Sequence, residues 1–329
     1  MWVVRVRTGA EMSELTKFLF EGLPVRGMLV RLNDSWRELL RCRADVGAYA
    51  PEVRVLLGEM AAAGVLMQAN IKFNGALILQ IFGDGPVKVA VAEVQPSLSF
   101  RATAKVVGAV AEDAGMEALV NLHGGGRCAI TLDPKDPFPG QQPYQGVVPL
   151  HGDQREPLQQ LSQVLEHYML QSEQLDTCLV LAANDEVAAG LLIQRMPLQG
   201  EANLGGRRNE DDIGLSEAYN RIALLAGTLT REELLGLPPE RILHRLFWEE
   251  SLRVFEPQHP TFACTCNRER VRGMLRSLGR VESEGLIAER GLVEVGCEFC
   301  GTQYRFDAVD VGEMFAKPHD QPPATGVLQ

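Results

Sequence analysis

An α+β fold in two unequal parts is what three features of this 329-residue sequence predict. Short alternating segments in the first half are separated by strong turn signals, Asn74-Gly75 and Gly83-Asp84-Gly85-Pro86, which is the pattern of an antiparallel sheet. Segments of helical periodicity flank those strands. Near the end, Cys264 and Cys266 form a C-x-C pair and Cys297 and Cys300 a C-x-x-C pair, the ligand spacing of a small metal-held unit. The expected organisation is an N-terminal core domain over 12–198 with a mostly antiparallel sheet and packed helices, a helical linker over 199–260, a four-cysteine zinc domain over 261–318 and a flexible tail over 319–329. Residues 1–11 precede a second plausible start at Met12 and are read as an N-terminal extension.

In chain order, residues 13–20 (SELTKFLF) read as a short helix capped by Ser13, with Leu15, Phe18 and Leu19 on one face. Residues 25–32 alternate as a strand. A helix is expected at 34–41 and a longer, largely buried one at 51–68, where proline suits the first turn and Val55, Met60, Ala63 and Met67 fill a core. Strands follow at 71–73, 76–82 and 87–94, with further candidates at 100–107, 129–132 and 146–150. An amphipathic helix over 156–173 turns Leu158, Leu161, Leu165 and Met169 inward, and strands at 178–182 and 188–196 close the domain. His123-Gly124-Gly125-Gly126 is a mobile turn rather than an oxyanion hole, because the nucleophile elbow G-x-S-x-G is absent. No G-x-x-x-x-G-K-[ST] occurs, so the glycines around Asp84 are turn chemistry and no ATP site is expected.

Residues 199–212 are polar and glycine-bearing, and mark the end of the core. Three short helices are expected after them at 215–225, at 230–235 behind the capping box Thr230 to Glu233, and at 239–247. Their apolar faces include Ile222, Leu225, Leu234, Leu243 and Phe247, too much apolar surface for a free linker. In the terminal part, Asn267 caps a helix that ends at Gly279 and carries Val271, Met274, Leu275 and Leu278 on one face. Residues 292–295 and 302–306 pair as a hairpin around the C-x-x-C turn, where Gly301 supplies backbone freedom.

A lone C-x-x-C suits a redox pair as well as a metal. A second close pair at domain-sized separation makes Cys264, Cys266, Cys297 and Cys300 the expected ligands of one Zn²⁺ per chain. Cys42, Cys128 and Cys178 sit in apolar contexts and are read as small buried hydrophobes; His259 is near in sequence, but four thiols leave no position for it.

The flanking residues allow a closer match. F-x-C-x-C-N-R-E-R (262–270) and C-x-F-C-G-x-x-Y-x-F (297–306) resemble the signature of the redox-regulated heat-shock protein 33 chaperones. So do KFLFEGLPVRG (17–27), NIKFNG (70–75) with GDGP (83–86), YQGVV (144–148) and SEQL (172–175), which spreads the resemblance over about 15–315. Asn267 departs from the serine usual in that family, and both residues cap helices well. The resemblance implies an ATP-independent holdase whose reduced, zinc-bound form is inactive. Oxidation would form the disulfides Cys264–Cys266 and Cys297–Cys300, release zinc, free the linker, promote a homodimer and expose a surface for unfolding client proteins. Ile222, Leu225, Leu234, Leu243 and Phe247 are the client-binding candidates, and no catalytic residue is expected.

Composition narrows the alternatives. A net charge of −11 opposes a phosphate backbone, so no nucleic acid partner is expected. Seven cysteines, an odd number, suit a reducing cytoplasmic address. The sequence has no apolar run of ~18 residues and no secretory signal, so no membrane partner is expected either. A thiol–disulfide oxidoreductase on Cys297 and Cys300 lacks the βαβ setting of such enzymes, and a structural zinc ribbon serving as an interaction module remains a third reading.

Overall fold

The computed structural model describes residues 12–44, 47–138, 140–196 and 210–316, with side chains from 217 onward in the last stretch. The expected extension at 1–11, the polar break up to 209 and the tail fall outside these residues. Two compact units divide after Ala263.

The first unit opens with β1 (Glu14–Phe20), β2 (Val25–Leu32), α1 (Asp34–Ala44) and α2 (Pro51–Asn70). It continues through β3 (Gly75–Phe82), β4 (Val87–Val94), β5 (Ser99–Val106), α3 (Met116–Val120), β6 (Arg127–Pro134), β7 (Tyr144–Pro149), α4 (Leu161–Glu173), β8 (Thr177–Ala183) and β9 (Ala188–Arg195). Then come α5 (Glu210–Gly227), α6 (Arg231–Gly236), α7 (Pro239–Phe247), β10 (Leu252–Val254) and β11 (Thr261–Phe262). Five strands form an antiparallel sheet in the order β10-β1-β2-β9-β8, and six form another in the order β11-β5-β4-β3-β6-β7, where only the β11–β5 pair is parallel.

Helix α2 lies between the sheets, packed on β2, β8 and β9 of one and β3, β4 and β5 of the other. Its sequence is largely apolar, with Val53, Leu57, Met60, Ala61, Val65 and Leu66 all buried, and such a helix is stable only when most of its surface is covered. The other face of the five-stranded sheet is covered by α5, α6 and α7. There Phe18, Phe20, Val25, Leu29, Leu191 and Ile193 from the strands meet Ile222, Leu234, Ile242, Leu243, Leu246 and Phe247 from the helices.

Residues 13–20 correct the expected helix: they form β1. With both faces of this sheet buried, period-two alternation decides. Leu15 joins the α2 side, whereas Phe18 and Phe20 join the α5–α7 side. Ser13 braces α1 instead of capping a helix of its own, its hydroxyl 2.7 Å from Asp34 Oδ1. The Phe18 ring lies across Gly27 of β2, where a Cβ would sit 2.1 Å from the ring, so only glycine leaves it room.

The expected strand at 71–73 is absent, because α2 runs to Asn70 and leaves only a turn before β3. Helix α4 begins at Leu161 rather than 156, under a capping box of Gln160 and Gln163. The turn at 123–126 is fastened, not loose: Asp84 accepts the amides of His123 at 3.1 Å and Gly125 at 2.7 Å. Cys128 is buried as expected and Cys178 partly so, but Cys42 lies on the outer side of α1 beside Glu38.

After α7 the chain is stitched along both sheet edges. β10 pairs with β1, Gln258 exchanges backbone bonds with Leu15, and the Ala263 amide donates to Phe100 O at 3.0 Å. His259 Nδ1 lies 3.0 Å from Ser13 O in this run.

The second unit holds α8 (Arg268–Leu278), α9 (Arg280–Arg290), β12 (Val293–Gly296), β13 (Gln303–Phe306) and α10 (Ala308–Phe315). Its core consists of Leu275, Val293, Phe306, Val311 and Met314. Of the expected inward row of α8, Leu275 is buried and Val271 packs at the margin, while Met274 and Leu278 are about half exposed at 52% and 51%. The i, i+4 pair 271/275 faces the small core, and the 274/278 row lies outside it.

Candidate metal centre

Each cysteine pair is presented by a backbone device the local sequence dictates. Cys264 and Cys266 precede Asn267, whose side chain accepts the Arg270 amide at 2.8 Å and starts α8. Cys297 and Cys300 occupy the turn between β12 and β13. The Gly301 amide returns to Cys297 O at 2.8 Å and the Cys297 amide donates to Thr302 O at 2.9 Å. Gly301 adopts φ +74°, the left-handed conformation that the C-x-x-C-G turn requires.

The four sulfurs converge within 4.8 Å of one another. Contacts cross between the pairs: Cys264 Sγ is 3.6 Å from Cys297 Sγ, and Cys266 Sγ is 3.4 Å from Cys300 Sγ. A tetrahedron of thiolates with Zn–S bonds of about 2.3 Å has edges of about 3.8 Å, so this donor set fits a four-thiolate metal.

The electrostatics ask for a cation. Burial holds the Cys264, Cys266 and Cys297 thiols above the usual thiol range. Burial acts the same way on Cys300, but hydrogen bonds from the Thr302 hydroxyl and amide outweigh it and lower that thiol to about 7. Four sulfurs this close cannot all ionise on their own; a bound dication makes all four thiolates favourable. The Cys297–Cys300 turn lies between two antiparallel strands rather than between a strand and a long helix.

Arg268 and Arg270, which follow the first cysteine pair in the chain, are committed to the scaffold. Arg268 stacks over the Phe306 ring at 4.3 Å and pairs with Asp310 at 2.8 Å. Arg270 Nη1 donates to Thr265 O at 3.0 Å and to its Oγ1 at 2.7 Å, fixing the loop between Cys264 and Cys266.

The five client-binding candidates fall in the cover of the first sheet. Ile222, Leu234, Leu243 and Phe247 are buried there and Leu225 is half-buried at its margin. Sequence reasoning missed Phe18 and Phe20, whose rings meet Phe247 with centroids 6.1 and 5.0 Å apart. It also missed Arg31, which donates from β2 to the carbonyls of Leu234 (3.0 Å), Leu235 (2.5 Å) and Leu237 (3.1 Å), and so caps α6. Tyr304 was passed over as well, although its spacing from the C-x-x-C pair was visible; its hydroxyl is 3.1 Å from Cys266 Sγ.

The fold and the site define a class: two compact units, the second with four convergent thiols that could hold a metal ion. The comparisons narrow it: the Hsp33 protein family model matches residues 13–307, and the chain belongs to that family. A 33 kDa chaperonin of Chromobacterium violaceum is 45% identical over 303 residues, covering 92% of this chain and 94% of that protein. One from Neisseria meningitidis serogroup A is 43% identical, with 92% and 91% covered. These relatives carry the name of chaperones, a non-enzymatic class. The crystal structure of the Thermotoga maritima 33 kDa chaperonin shares the fold, with a TM-score of 0.71 at 20% identity and 92% and 97% of the two chains covered. Among the described residues no helix is long and apolar enough to cross a membrane.

Proposed function

We propose that this chain is a cytoplasmic, redox-regulated, ATP-independent holdase that binds unfolding client proteins when oxidised. The observation that carries the reading is the convergence of four sulfurs within 4.8 Å in a unit whose apolar core is only a handful of side chains. Such a unit is thinly stabilised without a staple. Bound once per chain by Cys264, Cys266, Cys297 and Cys300, zinc supplies about 10–16 kcal/mol of folding free energy to modules of this size.

Oxidation removes the ligands. C-x-x-C closes a disulfide readily whereas C-x-C demands a strained ring, so Cys297–Cys300 forms first and Cys264–Cys266 second. The first bond already takes away two of the four thiolates. Loss of the second unit frees the linker at 199–260, and α5–α7 then leave the five-stranded sheet in a slower, temperature-sensitive step. Departure of the helices bares two complementary surfaces, the stripe with Ile222, Leu225, Leu234, Leu243 and Phe247, and the strand face with Phe18, Phe20 and Leu191. Apolar area of this kind serves both clients and a second copy, which accounts for a homodimer on oxidation.

The test is to follow bound zinc, thiol state and suppression of client aggregation together during peroxide treatment. Metal release and gain of holdase activity are expected to coincide. A zinc-free reduced protein, or activity that appears while the metal stays bound, overturns the reading.

A further inference from the structure

We infer that the Tyr304 hydroxyl is a brake on the switch: its hydrogen bond to Cys266 Sγ withholds that sulfur from oxidants and keeps the C-x-C pair behind the C-x-x-C pair. The inference rests on the redox reading above and adds a positioning residue to it.

Tyr304 is held from two sides. It pairs with Val295 across the β12–β13 ladder, and its ring packs against the core of the second unit, two residues before buried Phe306 on the same strand face. The hydroxyl is therefore placed by the sheet and the core, not by a loop, and reaches Cys266 Sγ at 3.1 Å. Cys266 is equally fixed. Its neighbour Thr265 is gripped by Arg270, and its neighbour Asn267 caps α8, so the backbone that presents the sulfur is held on both sides. A metal-bound thiolate carries no proton, which makes the phenol the donor and the bond charge-assisted.

The bond acts on the electron pair that oxidation needs. In the reaction with peroxide, a sulfur lone pair attacks one oxygen, the S–O bond forms, the O–O bond breaks and hydroxide leaves, giving a sulfenic acid. A second cysteine thiolate then attacks that sulfur, the S–O bond breaks, and the departing hydroxide takes a proton to leave as water. Charge drawn toward the Tyr304 proton lowers the nucleophilicity of Cys266 in the first step. Thr302 Oγ1 stands 3.2 Å from Cys300 Sγ, and Cys300 Sγ is the sulfur 3.4 Å from Cys266, so one member of each pair carries a hydroxyl contact.

The test uses the full-length reduced chain and the variant Tyr304→Phe, which keeps the ring and removes the donor. After timed peroxide exposure, each cysteine is trapped and quantified by peptide mapping, with zinc release followed by a chromogenic chelator. Oxidation at Cys266 is expected to accelerate about three- to tenfold, with earlier zinc release and an unchanged rate at Cys42. Site-specific 3-fluorotyrosine at 304, a stronger donor of the same shape, is expected to slow Cys266 instead, and it decides the matter if Tyr304→Phe melts the unit. A Cys266 rate that does not move, or that moves the other way, overturns the brake. Failure of the parent reading looks different: a reduced protein without zinc refutes the holdase switch, while the relative Cys266 rates still decide the role of Tyr304.

Discussion

The two faces of the five-stranded sheet are buried by different means. On one side lies α2, sandwiched between two sheets and buried along most of its length, with Glu52, Arg54 and Glu59 its charged side chains. On the other lie α5–α7, where α7 buries Ile242, Leu243, Leu246 and Phe247 and turns Glu240, Arg241, His244 and Arg245 to solvent. This second cover is also pinned by polar contacts: Arg31 caps the α6 carbonyls, and Arg231 donates to Ala183 O and lies 3.8 Å from Glu59. A helix buried against sheets on two sides has little solvated state to go to, whereas amphipathic helices can leave and still present a wet face to water. Both covers bury large aromatic or aliphatic side chains, so amount of apolar contact is not what distinguishes them. What differs is the solvated polar face that α7 keeps.

The largest expected effect separates the units and leaves both faces of the sheet in place. Cys300→Ser removes one of four ligands, and most of the metal's contribution of about 10 kcal/mol or more should go with it. Metal analysis should find the zinc lost and hydrogen exchange should find α8–α10 unprotected, while the amides of α2 keep their protection. Loss of protection in α2 would mean that the metal unit supports the core as well.

Next come paired truncations. Leu57→Ala on the α2 side and Phe247→Ala on the α7 side each create a cavity expected to cost about 2–5 kcal/mol. The first should lower the global transition of the first unit. The second should raise the opening rate of α5–α7 chiefly, with β1 and β2 still protected, and yield holdase activity at milder oxidation. Equal exchange patterns for the two variants would erase the distinction between the covers.

Much of this was legible in the sequence, and the misses share a cause. Turn chemistry at Asn74-Gly75 and around Pro86 located β3 and β4, and the spacing of Cys264, Cys266, Cys297 and Cys300 located the thiol cluster, because both signals are local. Residues 13–20 misled because Leu15, Phe18 and Leu19 fit a helical face, while the deciding fact, burial on both sides of the sheet, is a tertiary one. The edge strands β10 and β11 are two or three residues long and exist only by pairing with β1 and β5. Arg31 looked like an ordinary polar strand residue. Its partners lie some 200 positions away, and no local pattern announces a guanidinium aimed at three carbonyls.

Glu59 offers a smaller, pH-dependent probe. It projects from α2 toward Arg231 of α6, and lines a cavity of about 510 Å³ with Glu166, Cys178 and Arg231. Burial raises its carboxyl from 4.5 to about 7 despite the attraction of Arg231. The sign follows from linkage: the folded state favours the neutral acid, so this group's contribution is fully present below about pH 4.5 and is lost as pH rises through 7. Glu59→Gln should therefore stabilise the first unit by on the order of 2 kcal/mol at pH 8 and by little at pH 5, as read from denaturant melts at both values. A larger gain at pH 5 than at pH 8 would contradict the burial argument.

The smallest expected effect is the most local. Thr230 caps α6, its hydroxyl accepting the Glu233 amide at 3.2 Å while Glu233 Oε2 takes the Thr230 amide at 3.0 Å. The helix is only six residues long, so this box and the Arg31 bonds at the other end satisfy much of its exposed backbone. Thr230→Ala should cost about 1 kcal/mol, which corresponds to roughly fivefold faster exchange if opening of α6 is what exposes its amides. Since α6 carries Arg231 at one end and the carbonyls bound by Arg31 at the other, fraying should loosen both polar pins together. Amides in α2 contact the opposite side of the sheet and should not respond. If they accelerate in step with those of α6, the two covers open as a single cooperative body, and the idea of one fixed and one removable face is lost.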